Sequence, residues 1–466
     1  MHTPASATTT TNGHTVPSAQ LSDVVSASDG SSAGTGVPRV VIVGGGFGGI
    51  AAATGLKHVP VQVTLVDRTN FHLFQPLLYQ VAAGVLEPGT IATPIRSMFR
   101  GQPNVDVRMG EVVAIDKERR HVQLNAEEEP IPYDYLVLAT GAHGTYFGHD
   151  DWAAFAPGMK TLSDAEGLRR RIIGALEKAD SECDPRVREE WLTFLLVGAG
   201  PTGCELAGEL AQEFHRALPA EYRHIDPRKA RIILVEAGPR ALAPFSEDLV
   251  DGALKKLRSL GVEVRLGSAV EEVDAEGARI AGERVAARTV LWTAGVAASP
   301  AGRWLGVDSD RGGRVVVGPD LSVPGHPEIF VVGDTAHIED HGKQLPGVAQ
   351  VAIQSGQHAA RTIRARVLNQ PPPAPFAYFD KGSMATIAQR YAIMERGKLK
   401  LSGPMGKLGW AFIHILYLGS SEDQALLGVQ WLFGLLRKAG SRYIDAPVFA
   451  SPERPPGPPA RQPAQS

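Results

Sequence analysis

RVVIVGGGFGGIAAATGLKHVPVQVTLVDR, residues 39–68, decides the fold. Val40-Val41-Ile42-Val43 is an unbroken β-branched run, the pattern of a strand buried on both faces. Gly44, Gly46 and Gly49 follow at G-x-G-x-x-G spacing and open an Ala-rich stretch that reads as helix. A second apolar run, Val61 to Val66, ends in Asp67. In such a unit the first glycine permits a tight turn, the second lets backbone approach a pyrophosphate, and the third lets helix pack on strand. The helix N-terminus offers unpaired N–H groups and a positive dipole end to phosphate. Asp67 stands 23 residues beyond Gly44, where a carboxylate accepts from ribose hydroxyls. Strand, helix, second strand and terminal acid together predict a dinucleotide site.

The pattern recurs. WLTFLLVGAGPTGCELAGELAQEF (191–214) carries Gly198, Gly200 and Gly203 after another apolar run, and ARIILVEAGPR (230–240) supplies a second strand ending in Glu236. The interval from Gly198 to Glu236 is 38 residues, and the charged insert HRALPAEYRHIDPRKAR accounts for the excess by lengthening the helix and its return loop. Two units predict an α/β chain of two nested Rossmann-type domains, one for a flavin dinucleotide and one for a nicotinamide.

The composition is that of an ordinary globular protein: 466 residues, 43% hydrophobic and 21% charged. A formal charge of −3 gives no reason to expect nucleic acid as a partner. Cys183 and Cys204 are too few for a disulfide framework or a four-cysteine metal site, and no metal is expected. Residues 1–37 and 447–466 read as disordered tails, Ser/Thr-rich and Pro-rich respectively. Between them the expected divisions are 38–160 and 301–375 for the first dinucleotide domain, 161–300 for the second, and 376–446 for a C-terminal region.

YDYLVLATGA (133–142) and HPEIFVVGDTA (326–336) are two further strands, ending at Thr140-Gly141 and Gly333-Asp334. With them the chain resembles the two-dinucleotide-binding flavoprotein disulfide reductase superfamily. The resemblance implies FAD on the first glycine loop, Thr140 and Gly141 at the domain connection, and Asp334 at the ribityl and pyrophosphate of the FAD. The second loop would then hold the nicotinamide nucleotide. Glu236 favours NADH, since a carboxylate repels a 2′-phosphate, while Arg240 nearby leaves some use of NADPH open. The region that carries redox cysteines in the disulfide reductases, NFHLFQPLLYQVAAGVLEPGTI (70–91), has none here. Cys204 reads as a small packing residue, and thiol chemistry is excluded.

GGGFGG, FHLFQPLLYQVA, LVLATGA, VGAGPTGCELAGEL, LWTAGV and IFVVGDTA make residues 38–446 resemble the type II NADH dehydrogenases, single-subunit, non-pumping NADH:quinone oxidoreductases. The resemblance implies FAD and NADH, a membrane quinone as acceptor, and a homodimer. In LPGVAQVAIQSGQHAA (345–360) it places Gln350 and Gln354 on the quinone headgroup. Four residues apart on a helix, the two amides share one face. It puts Lys381 near flavin and quinone, and Glu205 by the nicotinamide. Phe47, Gly48, Arg68, Val113, Gly295 and Ala349 join the cofactor contacts. The sequence departs from the family pattern at Ala388-Gln389-Arg390. Hydride transfer needs positioning rather than an acid or base.

GWAFIHILYLG (409–419) and ALLGVQWLFGLL (425–436) are apolar stretches too short to span a bilayer, which takes about 20 residues. They lie in a segment with seven basic residues (Arg396, Lys398, Lys400, Lys407, Arg437, Lys438, Arg442) against three acidic ones. Trp410, Tyr417 and Trp431 suit lipid headgroup depth. The expectation is an amphipathic, monotopic anchor on an anionic leaflet at the cytoplasmic face, with a dimer interface or buried core helices as the competing reading. Two other functions keep the fold: a soluble reductase of a protein acceptor, and an NADH-sensing flavoprotein like the apoptosis-inducing ones.

Overall fold

The computed structural model describes residues 36–125, 128–216, 218–419 and 421–436. The tails expected before residue 36 and from 447 lie outside these, as do Arg437, Lys438 and Arg442 of the basic flank.

Arg39–Val43 (β1) leads through the first glycine loop into Phe47–Gly55 (α1) and back to Gln62–Asp67 (β2). A short buried helix, Leu78–Ala82 (α2), precedes Val105–Met109 (β3) and Tyr135–Leu138 (β4). These four strands run parallel in the order β4-β1-β2-β3. Val40 to Val43 are buried in the centre, as an unbroken β-branched run requires.

The second unit repeats the pattern with Thr193–Val197 (β5), Pro201–Arg216 (α3), Arg231–Val235 (β6), Val262–Arg265 (β7) and Thr289–Trp292 (β8). Its parallel order is β7-β6-β5-β8. The long interval between Gly198 and Glu236 goes partly into the helix: α3 has 16 residues where α1 has 9.

The chain then returns to the first sheet. Ser322–Val323 (β9) and His326–Val331 (β10) extend it to β9-β10-β4-β1-β2-β3, with β10 parallel to β4. Ala349–Val367 (α4) lies against α1 through glycine and alanine. A Cβ at Gly356 would stand 2.2 Å from the Gly48 carbonyl oxygen, so small side chains set this helix separation.

An antiparallel meander follows, Ser383–Ala388 (β11), Tyr391–Arg396 (β12) and Leu399–Ser402 (β13), and then Gly403–Leu416 (α5) and Ser421–Leu436 (α6). Helix α3 bears on β11 so closely that a Cβ at Gly208 would meet the Ile387 oxygen at 1.9 Å. The C-terminal region is thus mounted on the second glycine-loop helix.

Two aromatics are not where the sequence suggested. Trp410 is wholly buried, and Trp431 packs on it at 5.1 Å with its indole N–H donating to Gln80 Oε1. Trp410 fills the core because α5 turns this side inward onto the meander, and Trp431 of α6 packs half-buried against it. The outer side of α5 carries Met405, Leu408, Phe412 and Leu416, all exposed, joined by Leu426 and Val429 of α6. Among the described residues no helix is long and apolar enough to cross a membrane.

Candidate active site

In both glycine loops the protein itself fills the space beside the first and third glycines. Gly44 has φ +106°, and a Cβ there would lie 2.3 Å from the Ala139 oxygen; at Gly49 it would lie 1.8 Å from the Gly44 oxygen. Gly198 has φ +105°, and a Cβ at Gly203 would meet the Gly198 oxygen at 1.9 Å. The middle glycines, Gly46 and Gly200, have nothing within 4 Å of an added Cβ. That is the arrangement a pyrophosphate needs: a closed turn with one bare stretch of backbone open to approach. The residues present fit two dinucleotides.

The two strand-end acids also match. Asp67 accepts from the backbone N–H of Gly45 at 2.6 Å, and Glu236 from that of Ala199 at 2.8 Å. Their other oxygens take Thr69 and Gly238 N–H groups, at 2.7 and 2.9 Å. Each acid therefore braces its own loop, a role the spacing alone did not reveal, while retaining lone pairs for a ribose.

Gly141 (φ +69°) follows Thr140, whose hydroxyl bonds Ser299 Oγ at 2.5 Å, and its carbonyl accepts from Thr335 Oγ1 at 3.3 Å. That ties the end of β4 to the segment around Asp334. Burial pushes the Asp334 carboxyl up, against Lys160 and Arg314 nearby. Gly295 (φ +68°) packs against Phe147, and Gly48 is buried under Val332 and Ala352. Phe47 meets His72 and Phe74 edge-on at 5.0 and 5.8 Å. Arg68 and Val113 are exposed, and Ala349 opens α4.

The acceptor candidates converge. Gln354 donates to the Phe379 carbonyl and accepts from its N–H, both at 3.0 Å, so it braces the segment that carries Lys381. The Lys381 ammonium donates to the Tyr417 phenol oxygen at 2.8 Å, and the Gln350 side chain lies beside the same phenol. These partners hold the Tyr417 phenol below its usual range. Gln350 keeps a buried amide oxygen with no partner among the described residues. Residues from α4, the 379–381 segment and the end of α5 thus meet at one hydroxyl. In the sequence Tyr417 read only as an interfacial aromatic.

Glu205, one turn into α3, faces the meander and accepts from the Thr386 N–H at 3.1 Å. Burial lifts its carboxyl to about 8. Lys407 was a further miss. It reaches inward from α5, donates to Thr386 Oγ1 at 2.9 Å and lies 3.8 Å from the centre of the Trp410 ring. Burial lowers its ammonium pKa although Glu209 and Glu205 pull the other way. One signal was available: Lys407 is the only Asp, Glu, Lys or Arg between residues 403 and 419. Gln389, at the departure from the family pattern, instead meets the far end of α3, its N–H donating to Gln212 at 2.8 Å.

Residues 38–356 match the family described as pyridine nucleotide-disulphide oxidoreductase. The type II NADH:quinone oxidoreductase Ndh of Mycobacterium tuberculosis is 44% identical over 427 residues, covering 88% of this chain and 91% of that one. The NdhA protein of the same organism, with the same description, is 44% identical over 423 residues, covering 88% of this chain and 89% of that one. This chain belongs to the type II NADH:quinone oxidoreductases. The structure of NDH2 from Plasmodium falciparum in complex with NADH superposes with TM-score 0.80 at 19% identity, covering 88% of this chain and all of that one, a likeness of fold. Cys204 is buried, its thiol pushed far up by burial, and Cys183 is exposed on the surface.

Proposed function

We infer that this chain is an FAD-dependent NADH:quinone oxidoreductase that works on one membrane face, reducing a quinone by two electrons without moving protons across. The observation that carries the reading is a junction. The Gln350–Tyr417–Lys381 cluster lies at the end of α5, whose outward stripe is apolar, with Leu408 67% and Phe412 60% exposed. A long-tailed quinone lives in the bilayer, and a helix too short to span but apolar on one side suits a place at its surface. The polar cluster then meets the headgroup where the helix meets the lipid.

The assignment gives FAD to Gly44, Gly46, Phe47, Gly48, Gly49, Asp67, Arg68, Val113, Thr140, Gly141, Asp334 and Ala349, within 38–160 and 301–375. NADH falls to Gly198, Gly200, Gly203, Glu236 and Gly295, within 161–300, with Glu205 by the nicotinamide. Bound non-covalently, FAD supplies a hydride acceptor and a two-electron donor that no side chain here can replace. The chain's work is to position the reactants and exclude water. Gln350 and Tyr417 offer uncharged hydrogen-bonding groups to a quinone carbonyl, and Lys381 supplies positive charge beside them. The reading includes an anionic leaflet at the cytoplasmic face for residues 376–446, and a homodimer.

Anaerobic stopped-flow spectroscopy tests it. NADH should bleach the flavin rapidly, and a soluble quinone analogue should restore its colour as rapidly. Fast bleaching with slow recovery would move the acceptor to a protein, or the role to NADH sensing.

A further inference from the structure

We propose that helix α3 conducts the proton that quinone reduction draws from water, along Glu213 and Glu209 to Lys407. The inference rests on the quinone-reductase reading. In that reaction NADH, one proton and a quinone give NAD+ and a hydroquinone. The hydride delivers both electrons and one hydrogen, so one further proton per turnover must come from solvent.

Glu205, Glu209 and Glu213 recur at four-residue intervals on α3, which places successive Cβ atoms about 5–6 Å apart on one face. Glu205 is partly exposed at the glycine-loop end, whereas Glu209 and Glu213 are 3% and 4% exposed. Lys407 from α5 and Tyr79 from α2 face this row, with Thr386 of β11 at its inner end. Thr386 joins the inner groups directly, its N–H donating to Glu205 and its hydroxyl accepting from Lys407. The fully buried Trp410 indole N–H beside Lys407 has no acceptor among the described residues, a donor of the kind an internal water bonds. At the outer end Arg216 reaches solvent and bonds Gln389, which holds Gln212.

Glu205 and Glu209 lie on one face of α3 with Lys407 beside them, and taking carboxylates out of water favours their protonated form. Burial raises the carboxyls of Glu205 and Glu209 toward neutrality and lowers the lysine toward them. Groups matched in this way exchange protons with little loss of driving force. Water protonates Glu213, Glu213 passes a proton to Glu209, and Glu209 passes one to the Lys407 amine. Lys407 releases one through the Thr386 hydroxyl or Glu205 toward the quinone oxygen. Each step breaks one O–H or N–H bond and makes another, and each turnover restores the starting protonation. Neither Glu209 nor Glu213 touches substrate; both act through Lys407.

Glu213→Gln and Glu209→Gln in the full-length, FAD-loaded protein supply the test, with a short-chain ubiquinone analogue as acceptor. Recovery of flavin colour on quinone should slow by about 10-fold or more, with bleaching by NADH within about 2-fold of the parent. The slow step should gain a solvent deuterium isotope effect, and added formate or imidazole should restore its rate. Independently of turnover, infrared titration of the parent should show protonated carboxyl absorption persisting above the usual carboxylate range, diminished in Glu209→Gln. Parent-like recovery, or slowing that neither isotope nor small acids affect, would overturn the relay and leave the glutamates as counter-charges. If the variants fail to retain flavin, the parent's infrared titration decides: no carboxyl titrating above the usual range overturns it. A parent that quinone does not reoxidise would instead defeat the quinone-reductase reading.

Discussion

Tyr417 brings together three parts of the chain that sequence keeps far apart, because its phenol accepts from Lys381 and lies beside Gln350. Tyr417→Phe removes the shared oxygen while keeping the ring. Reoxidation by a soluble quinone is expected to slow about 10-fold, with bleaching by NADH unchanged, in the same stopped-flow traces. His414 makes a different kind of prediction. Burial against Trp410 and Phe74 pushes its pKa from 6.5 down to about 4. The unfolded chain takes up the proton near pH 6.5 and the folded chain only near pH 4. Between these values the unfolded state binds more protons, so stability is lost as pH falls through the window. His414→Leu should abolish that loss, on the order of 3 kcal/mol at its lower end. Denaturant melts of parent and variant should therefore diverge in slope between pH 6.5 and 4.

Helix α4 sits where it does because glycine faces glycine across its contact with α1. A Cβ at Gly356 points at the Gly48 oxygen, and Gly48 follows the bare backbone of the first loop. Gly356→Ala should cost about 1–3 kcal/mol through overpacking. On the proposed assignment, in which α1 presents its N-terminus to the FAD phosphates, it should also loosen the cofactor. Urea melts and the ratio of flavin to protein absorbance after gel filtration check the two effects separately. The same helix starts with Ala349-Gln350, so one packing contact orients both the dinucleotide loop and the acceptor cluster.

At the scale of the molecule, α5 separates two environments. Its inner side holds Lys407, Trp410 and His414 in the core, and its outer side exposes Met405, Leu408, Phe412 and Leu416. Replacing Leu408 and Phe412 together with serine should abolish flotation with anionic vesicles. Turnover of a short-chain quinone in solution should survive, because neither side chain belongs to the polar cluster. Retained flotation would move the membrane contact elsewhere.

Both glycine loops, their strands and their terminal acids were legible in the sequence because they depend on local rules. A buried strand must be apolar on both faces, a turn at positive φ demands glycine, and phosphate needs bare backbone at a helix start. That Gln350 and Gln354 share a face was legible for the same reason, being one turn apart on one helix, while a place for them at a quinone came from the family resemblance. Tertiary structure alone decided that Gln354 braces Phe379, that Lys407 turns into the core beside Glu205 and Glu209, and that Trp410 faces inward while Phe412 faces out. Those choices depend on which side of α5 meets the meander. An apolar helix with hydrophobic residues all round carries no periodicity to say which side that is.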